Sequence, residues 1–111
     1  MADPISWSDF EKVLICAGTV LRVEDFPEAR KPAWKLWVDF GPFGIRKTSA
    51  QVKTLYSADD LTGRQVVGVI NFPPKQVGPF VPEFLLTGFP TEEGVVLTTI
   101  ERPVPNGTRL A

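Results

Sequence analysis

A chain of 111 residues with 43% hydrophobic and 23% charged side chains is sized and mixed for one folded domain, residues 1–111, which excludes a disordered tail and a pair of independent cores. It holds no histidine and a single cysteine, Cys16, so Cys/His zinc centres, Ser-His-Asp triads, Cys-His pairs and internal disulfides are excluded, and no metal or cofactor is expected. The net charge of −1 gives no overall pull toward polyanions.

No apolar run approaches the ~20 residues that span a bilayer, and Met1 to Asp9 lacks the basic and apolar regions of a signal peptide, so a cytoplasmic chain is expected. Ser6 and Ser8 offer capping hydroxyls, with Asp9 and Glu11 three residues after each, which predicts a short helix near Phe10. Val13 to Val23 is rich in Val, Leu, Ile and Thr and reads as a long strand with Cys16 buried. Gly18 predicts a bulge or bend in it.

Pro27 and Pro32 make Glu24 to Pro32 a loop. From Trp34 to Phe40, Trp34, Leu36, Val38 and Phe40 alternate with Lys35, Trp37 and Asp39, the period of a strand with one buried face. Gly41 to Gly44 makes a turn, and Ile45 to Gln51 returns as a more polar strand, completing a hairpin. Ser57 with Asp60 three residues on predicts a short helix stopped at Gly63, and Gln65 to Asn71 reads as a central strand. Four prolines between Phe72 and Pro82 demand a stiff loop. Strands resume over Phe84 to Phe89 and Val95 to Ile100, and Asn106-Gly107 marks a turn in the tail.

Five or six short strands, with a short helix before the fourth, predict an all-β domain: a five-stranded OB-fold barrel with short helical segments. An immunoglobulin-like sandwich is the rival, and it calls for about seven strands.

Two surfaces are candidates for binding. Between Ala29 and Thr54 stand six cations and one acid, Asp39, a local charge of +5 in the company of Trp34, Trp37 and Phe43. Cations that follow phosphate and rings that stack on unpaired bases are the means by which single strands and bent RNA are held. The second is the loop carrying Phe72, Pro74, Phe80 and Val81, apolar and already rigid, which suits an extended peptide. Trp7, Phe10, Val104 and Leu110 leave more apolar surface at the chain ends than a small barrel covers, which predicts a homodimer. The acids Glu24, Asp25 and Glu28, and the pair Asp59-Asp60, have the surroundings of solvated or helix-capping groups, so catalysis is not expected.

The strings Phe26-Pro27-Glu28-Ala29-Arg30-Lys31-Pro32, Ser49-Ala50-Gln51-Val52, Leu61-Thr62-Gly63-Arg64-Gln65-Val66-Val67 and Asn71-Phe72-Pro73-Pro74-Lys75-Gln76-Val77-Gly78-Pro79-Phe80 resemble the tRNA-binding domain family, specifically its CsaA branch. The resemblance implies an OB-fold homodimer without cofactor. It also implies a secretion chaperone that binds unfolded preproteins and the export ATPase, within a superfamily that grips the outer corner of tRNA. It marks Arg30, Lys31, Arg46, Lys47, Ser49 and Lys75 as the polar RNA-binding positions, and Phe72, Pro74 and Phe80 as the apolar ones. The chain departs from the family pattern at Val81-Pro82-Glu83, where Pro82 supplies neither a hydroxyl nor a backbone N–H.

Overall fold

The computed structural model describes residues 2–74 and 79–111. Helix α1 (Trp7–Glu11) begins at a capping box: the Ser6 hydroxyl accepts the Asp9 N–H at 3.1 Å and the Asp9 carboxylate accepts the Ser6 N–H at 3.2 Å. A second box, between Ser57 and Asp60, starts α2 (Ala58–Leu61).

Strand β1 (Ile15–Asp25) is long enough to serve two partners. Its first half pairs antiparallel with β4 (Gln65–Val69) and its second half with β2 (Trp34–Asp39). The irregularity that bends it lies between Val20 and Arg22, not at Gly18 as the sequence suggests. The extra residue there, Leu21, resets the alternation, so Val20 and Val23 both face inward while Arg22 turns out. Gly18 has another task. A Cβ at that position would lie 2.6 Å from a Val38 methyl and 2.8 Å from the Phe40 ring, so only glycine lets the strand approach the core this closely.

A 3-10 turn (Gly41–Phe43) joins β2 to β3 (Ile45–Ala50), confirming the hairpin. The five-stranded sheet runs β3-β2-β1-β4-β5, with β5 only Leu85–Leu86. The single strand expected over Phe84 to Phe89 is divided, because Gly88–Thr91 (β6) leaves the barrel and forms a separate hairpin with Gly94–Leu97 (β7). The sheet curls around Leu36, Val38, Phe40, Leu61, Val66, Ile70 and Phe84, where the Phe40 and Phe84 rings meet edge to face at 4.9 Å. This is the five-stranded, nearly closed barrel of an OB-fold, with α2 between the third and fourth strands.

The tail closes the other side of β1. Gly107, at φ +89°, donates its N–H to the Ala17 carbonyl at 2.8 Å, and the Leu110 N–H reaches the Ile15 carbonyl at 2.8 Å. Cys16 lies beneath this tail, and burial pushes its thiol up, away from reactive thiolate.

Candidate polypeptide and RNA contact site

Alternation along the hairpin decides which side chains face outward. The cross-strand pairs Leu36↔Thr48 and Val38↔Arg46 lie on the core side, whereas Lys35↔Ser49 and Trp37↔Lys47 lie on the outer side. Strand β1 adds Arg22 beside Trp37 and Glu24 beside Lys35. The outer face is thereby a lattice of cations and rings. The Arg22 guanidinium sits 3.8 Å from the Trp37 ring centre, and Lys35 Nζ lies 4.8 Å from that of Phe26 and 5.4 Å from that of Phe80. Lys47 Nζ is 5.2 Å from the Phe80 ring. Each such contact contributes ~0.5 to 1 kcal/mol at an exposed site. Arg22 is also ion-paired with the Glu24 carboxylate at 2.8 Å, whereas Lys35 and Lys47 have no acidic partner within salt-bridge distance among the described residues.

Phe80 is not a free loop residue. It is 7% exposed and packs against Phe26 at 5.4 Å between ring centres, with Ala33 beneath, forming a small second core under the β1–β2 loop. Phe72 is 55% exposed, Pro74 is exposed and Val81 is half-buried, so the four residues expected to form one apolar surface divide between solvent and packing.

The barrel is nearly, not fully, closed. Where β3 meets the chain leading into β5, the Glu83 N–H donates to the Lys47 carbonyl at 2.8 Å, the Lys47 N–H donates to the Glu83 carboxylate at 3.0 Å, and the Thr48 hydroxyl donates to the Phe84 carbonyl at 2.7 Å. Beyond this point the seam parts into an open groove of about 780 Å³. Its lining includes Phe26, Ala29 and Ala33 from the β1–β2 loop, Ser49 to Val52 from β3 and its continuation, and Leu85, Leu86, Val95 and Leu97 from the far wall. Arg30 and Lys31 stand at its rim. Among the described residues neither cation has an acidic partner.

The expected RNA contacts are therefore dispersed. Arg30, Lys31 and Ser49 gather at the groove, and Lys47 lies on the adjoining outer face. Arg46 is turned to the opposite side of β3, where its guanidinium donates to the carbonyls of Ile70 and Phe43. Lys75 lies outside the described residues. Lys53 is engaged by the Asp25 carboxylate and sits 4.4 Å from the Trp34 ring centre; its hydrogen bond holds the Asp25 carboxyl below the usual carboxylate range. Of the chain-end residues, Trp7 is 80% exposed, Leu110 is exposed, and Phe10 and Val104 are half-buried.

Sequence reasoning missed Arg22 and the groove's far wall. The first needed the position of the bulge. The second is made of Leu85 to Leu97, whose approach to residues 48–52 no local pattern announces. Among the described residues, no three His, Cys, Asp or Glu side chains cluster as a metal ion requires, and no helix is long and apolar enough to cross a membrane.

A five-stranded, nearly closed barrel with a ring-and-cation face and an apolar groove at its seam places the chain in the OB-fold class. The crystal structure of the chaperone CsaA from Bacillus anthracis strain Ames is 41% identical, covers 98% of this chain and 100% of its own, and superposes with a TM-score of 0.91. CsaA from Picrophilus torridus is 40% identical, with 97% and 100% covered and a TM-score of 0.91. The chain belongs to the CsaA family. A methionine–tRNA ligase of Methanocaldococcus jannaschii is 28% identical over 97% of this chain, which spans only 16% of the ligase. No family model matches.

Proposed function

We propose that this protein is a non-catalytic chaperone: a cytoplasmic homodimer that holds exposed apolar segments of unfolded or export-bound polypeptide. The observation that carries this reading is the groove at the β3–β5 seam, walled by aliphatic side chains on rigid strands and rimmed by Arg30 and Lys31. Rigid walls lower the ordering cost of capture, and no nucleotide is required. The full-length likeness to CsaA chaperones supports the chaperone reading; a place in protein secretion, beside preproteins and the export ATPase, is part of the proposal. The test is light scattering from an aggregation-prone client refolding in the presence of the protein. Suppression at one dimer per client is expected; undiminished aggregation overturns the proposal.

A second reading is favoured by a different observation, the Arg22–Trp37 and Lys35–Phe26–Phe80–Lys47 lattice on the outer face. Such a face suits tRNA recognised by shape and backbone, and the match to methionine–tRNA ligases supports it. If about four phosphates are neutralised, log affinity for tRNA falls against log salt with a slope of roughly −3 to −4. A flat salt response sinks this reading and leaves the first intact.

A further inference from the structure

Each lip of the groove directs backbone groups toward the opening that have no ladder partner among the described residues. On β3, Lys47 directs its N–H and C=O away from β2 to Glu83, so alternation sends those of Ser49 the same way. The Phe40 N–H donated to the Gly44 carbonyl fixes the same parity from the hairpin end, placing the even-numbered residues on the β2–β3 ladder. On the facing lip, the Thr87 N–H donates to the Val67 carbonyl, so Leu85 turns its backbone toward β4 and Leu86 turns outward. Ser49 and Leu86 both line the groove. Among the described residues, neither enters a backbone ladder on the groove side.

We infer that the groove accepts an extended client segment as an added strand, its main chain hydrogen-bonded to the free edge of β3 at Ser49 and its side chains packed against the Leu85–Leu86 lip. This rests on the chaperone reading and specifies how the client is held. Alternate client side chains enter toward Val52, Val95 and Leu97, and the others point to solvent near Arg30 and Lys31. Unpaired strand edges are templates for a further strand, and main-chain pairing is indifferent to client sequence, as a binder of many unfolded chains requires. Among the described residues the groove lining holds two cations and no acid, so an apolar segment interspersed with acidic residues is preferred to the same segment with basic ones.

The probe is a fluorescent octapeptide, Glu-Val-Thr-Leu-Glu-Val-Thr-Leu, followed by anisotropy, beside the same peptide N-methylated at alternate amides. Methylation removes donors while keeping every side chain, so binding at least tenfold weaker is expected; equal affinity overturns strand addition. Ser49→Pro removes the groove-facing N–H of an edge strand and leaves the β2–β3 ladder intact, whereas Ser49→Ala keeps that N–H. Loss of tenfold or more in Ser49→Pro with less than twofold change in Ser49→Ala is expected, and equal affinity in a folded Ser49→Pro protein overturns the inference. If Ser49→Pro does not fold, the methylated pair on the native protein decides. Replacing Glu by Lys in the probe weakens binding at least threefold; no change removes the charge preference. Client aggregation suppressed together with equal binding of the two peptides rejects strand addition and spares the chaperone reading. Neither suppression nor peptide binding rejects both.

Discussion

Lys47 and Glu83 are joined twice across the seam of the barrel, once through the Glu83 N–H and the Lys47 carbonyl and once through the Lys47 N–H and the Glu83 carboxylate. This double contact is where β3 and the chain entering β5 are held together, and the groove opens directly beyond it. Glu83→Ala removes the carboxylate bond and keeps the main-chain one. Chemical denaturation should give a loss of about 1 kcal/mol, the value of one partly exposed hydrogen bond to a charged group. Exchange of the Lys47 amide proton should accelerate in the same variant, and an unchanged rate there removes the seam-clasp role.

Arg46 and Lys47 are neighbours in sequence with opposite duties. Both stand in a basic run, and charge alone assigns both to a binding surface; strand alternation separates them, one toward Ile70 and the other over Phe80. Arg46→Ala should cost about 1 to 3 kcal/mol of stability by leaving the buried Ile70 carbonyl without its donor, with the salt slope of tRNA binding unchanged. Lys47→Ala should do the reverse, keeping stability within ~0.5 kcal/mol and reducing the slope by about 1 if the outer face meets phosphate.

The elements most legible in the sequence were those fixed by local rules. Trp34 to Phe40 declared its buried face through alternation, and the serine–aspartate spacings at Ser6 and Ser57 declared both helices. What stayed hidden depended on partners distant in the chain. Phe80 reads as a loop residue because prolines surround it, yet it is buried by Phe26, 54 positions earlier. The short β5 and the departure of β6 were equally illegible, since Leu85 to Phe89 is continuous in character and only the curvature of the barrel divides it.

Gly18 supplies a sharp test of packing. Its missing Cβ is the space taken by Val38 and Phe40, both fully buried. Gly18→Ala should destabilise by about 1 to 3 kcal/mol through overpacking, despite alanine's better conformational entropy. A thermal midpoint equal to that of the native protein contradicts the close approach.

The Asp25–Lys53 pair gives a pH dependence of defined sign. The hydrogen bond from Lys53 holds the folded carboxyl below its ordinary value, so its contribution is present once the unfolded acid is ionised, above about pH 4, and is lost as pH falls through the lower folded value. Asp25→Asn should therefore be less stable than the native protein at pH 7, with the gap closing toward pH 2. The group is exposed, so 1 M salt should shrink the gap as well. A gap that widens in acid contradicts the assignment.

Helix α1 poses the question of what covers it. It is five residues long, none of them buried, with Ile5 and Trp7 presented outward, and its end is held to the tail by the Arg109 guanidinium on the Glu11 carbonyl. One helical turn has no stability of its own in water, and an indole left in solvent forgoes the largest apolar burial a side chain offers. The proposed two-fold partner covers this surface. Sedimentation at micromolar concentration should give twice the chain mass, and Trp7→Ser should weaken association by ten- to a hundredfold, the equivalent of about 1.4 to 2.8 kcal/mol of lost burial. Far-UV dichroism of the variant should stay native, because Trp7 contributes nothing to the barrel core. A native protein that sediments as a single chain removes the dimer from the proposed function and leaves the groove, which one barrel builds alone, as the whole binding site.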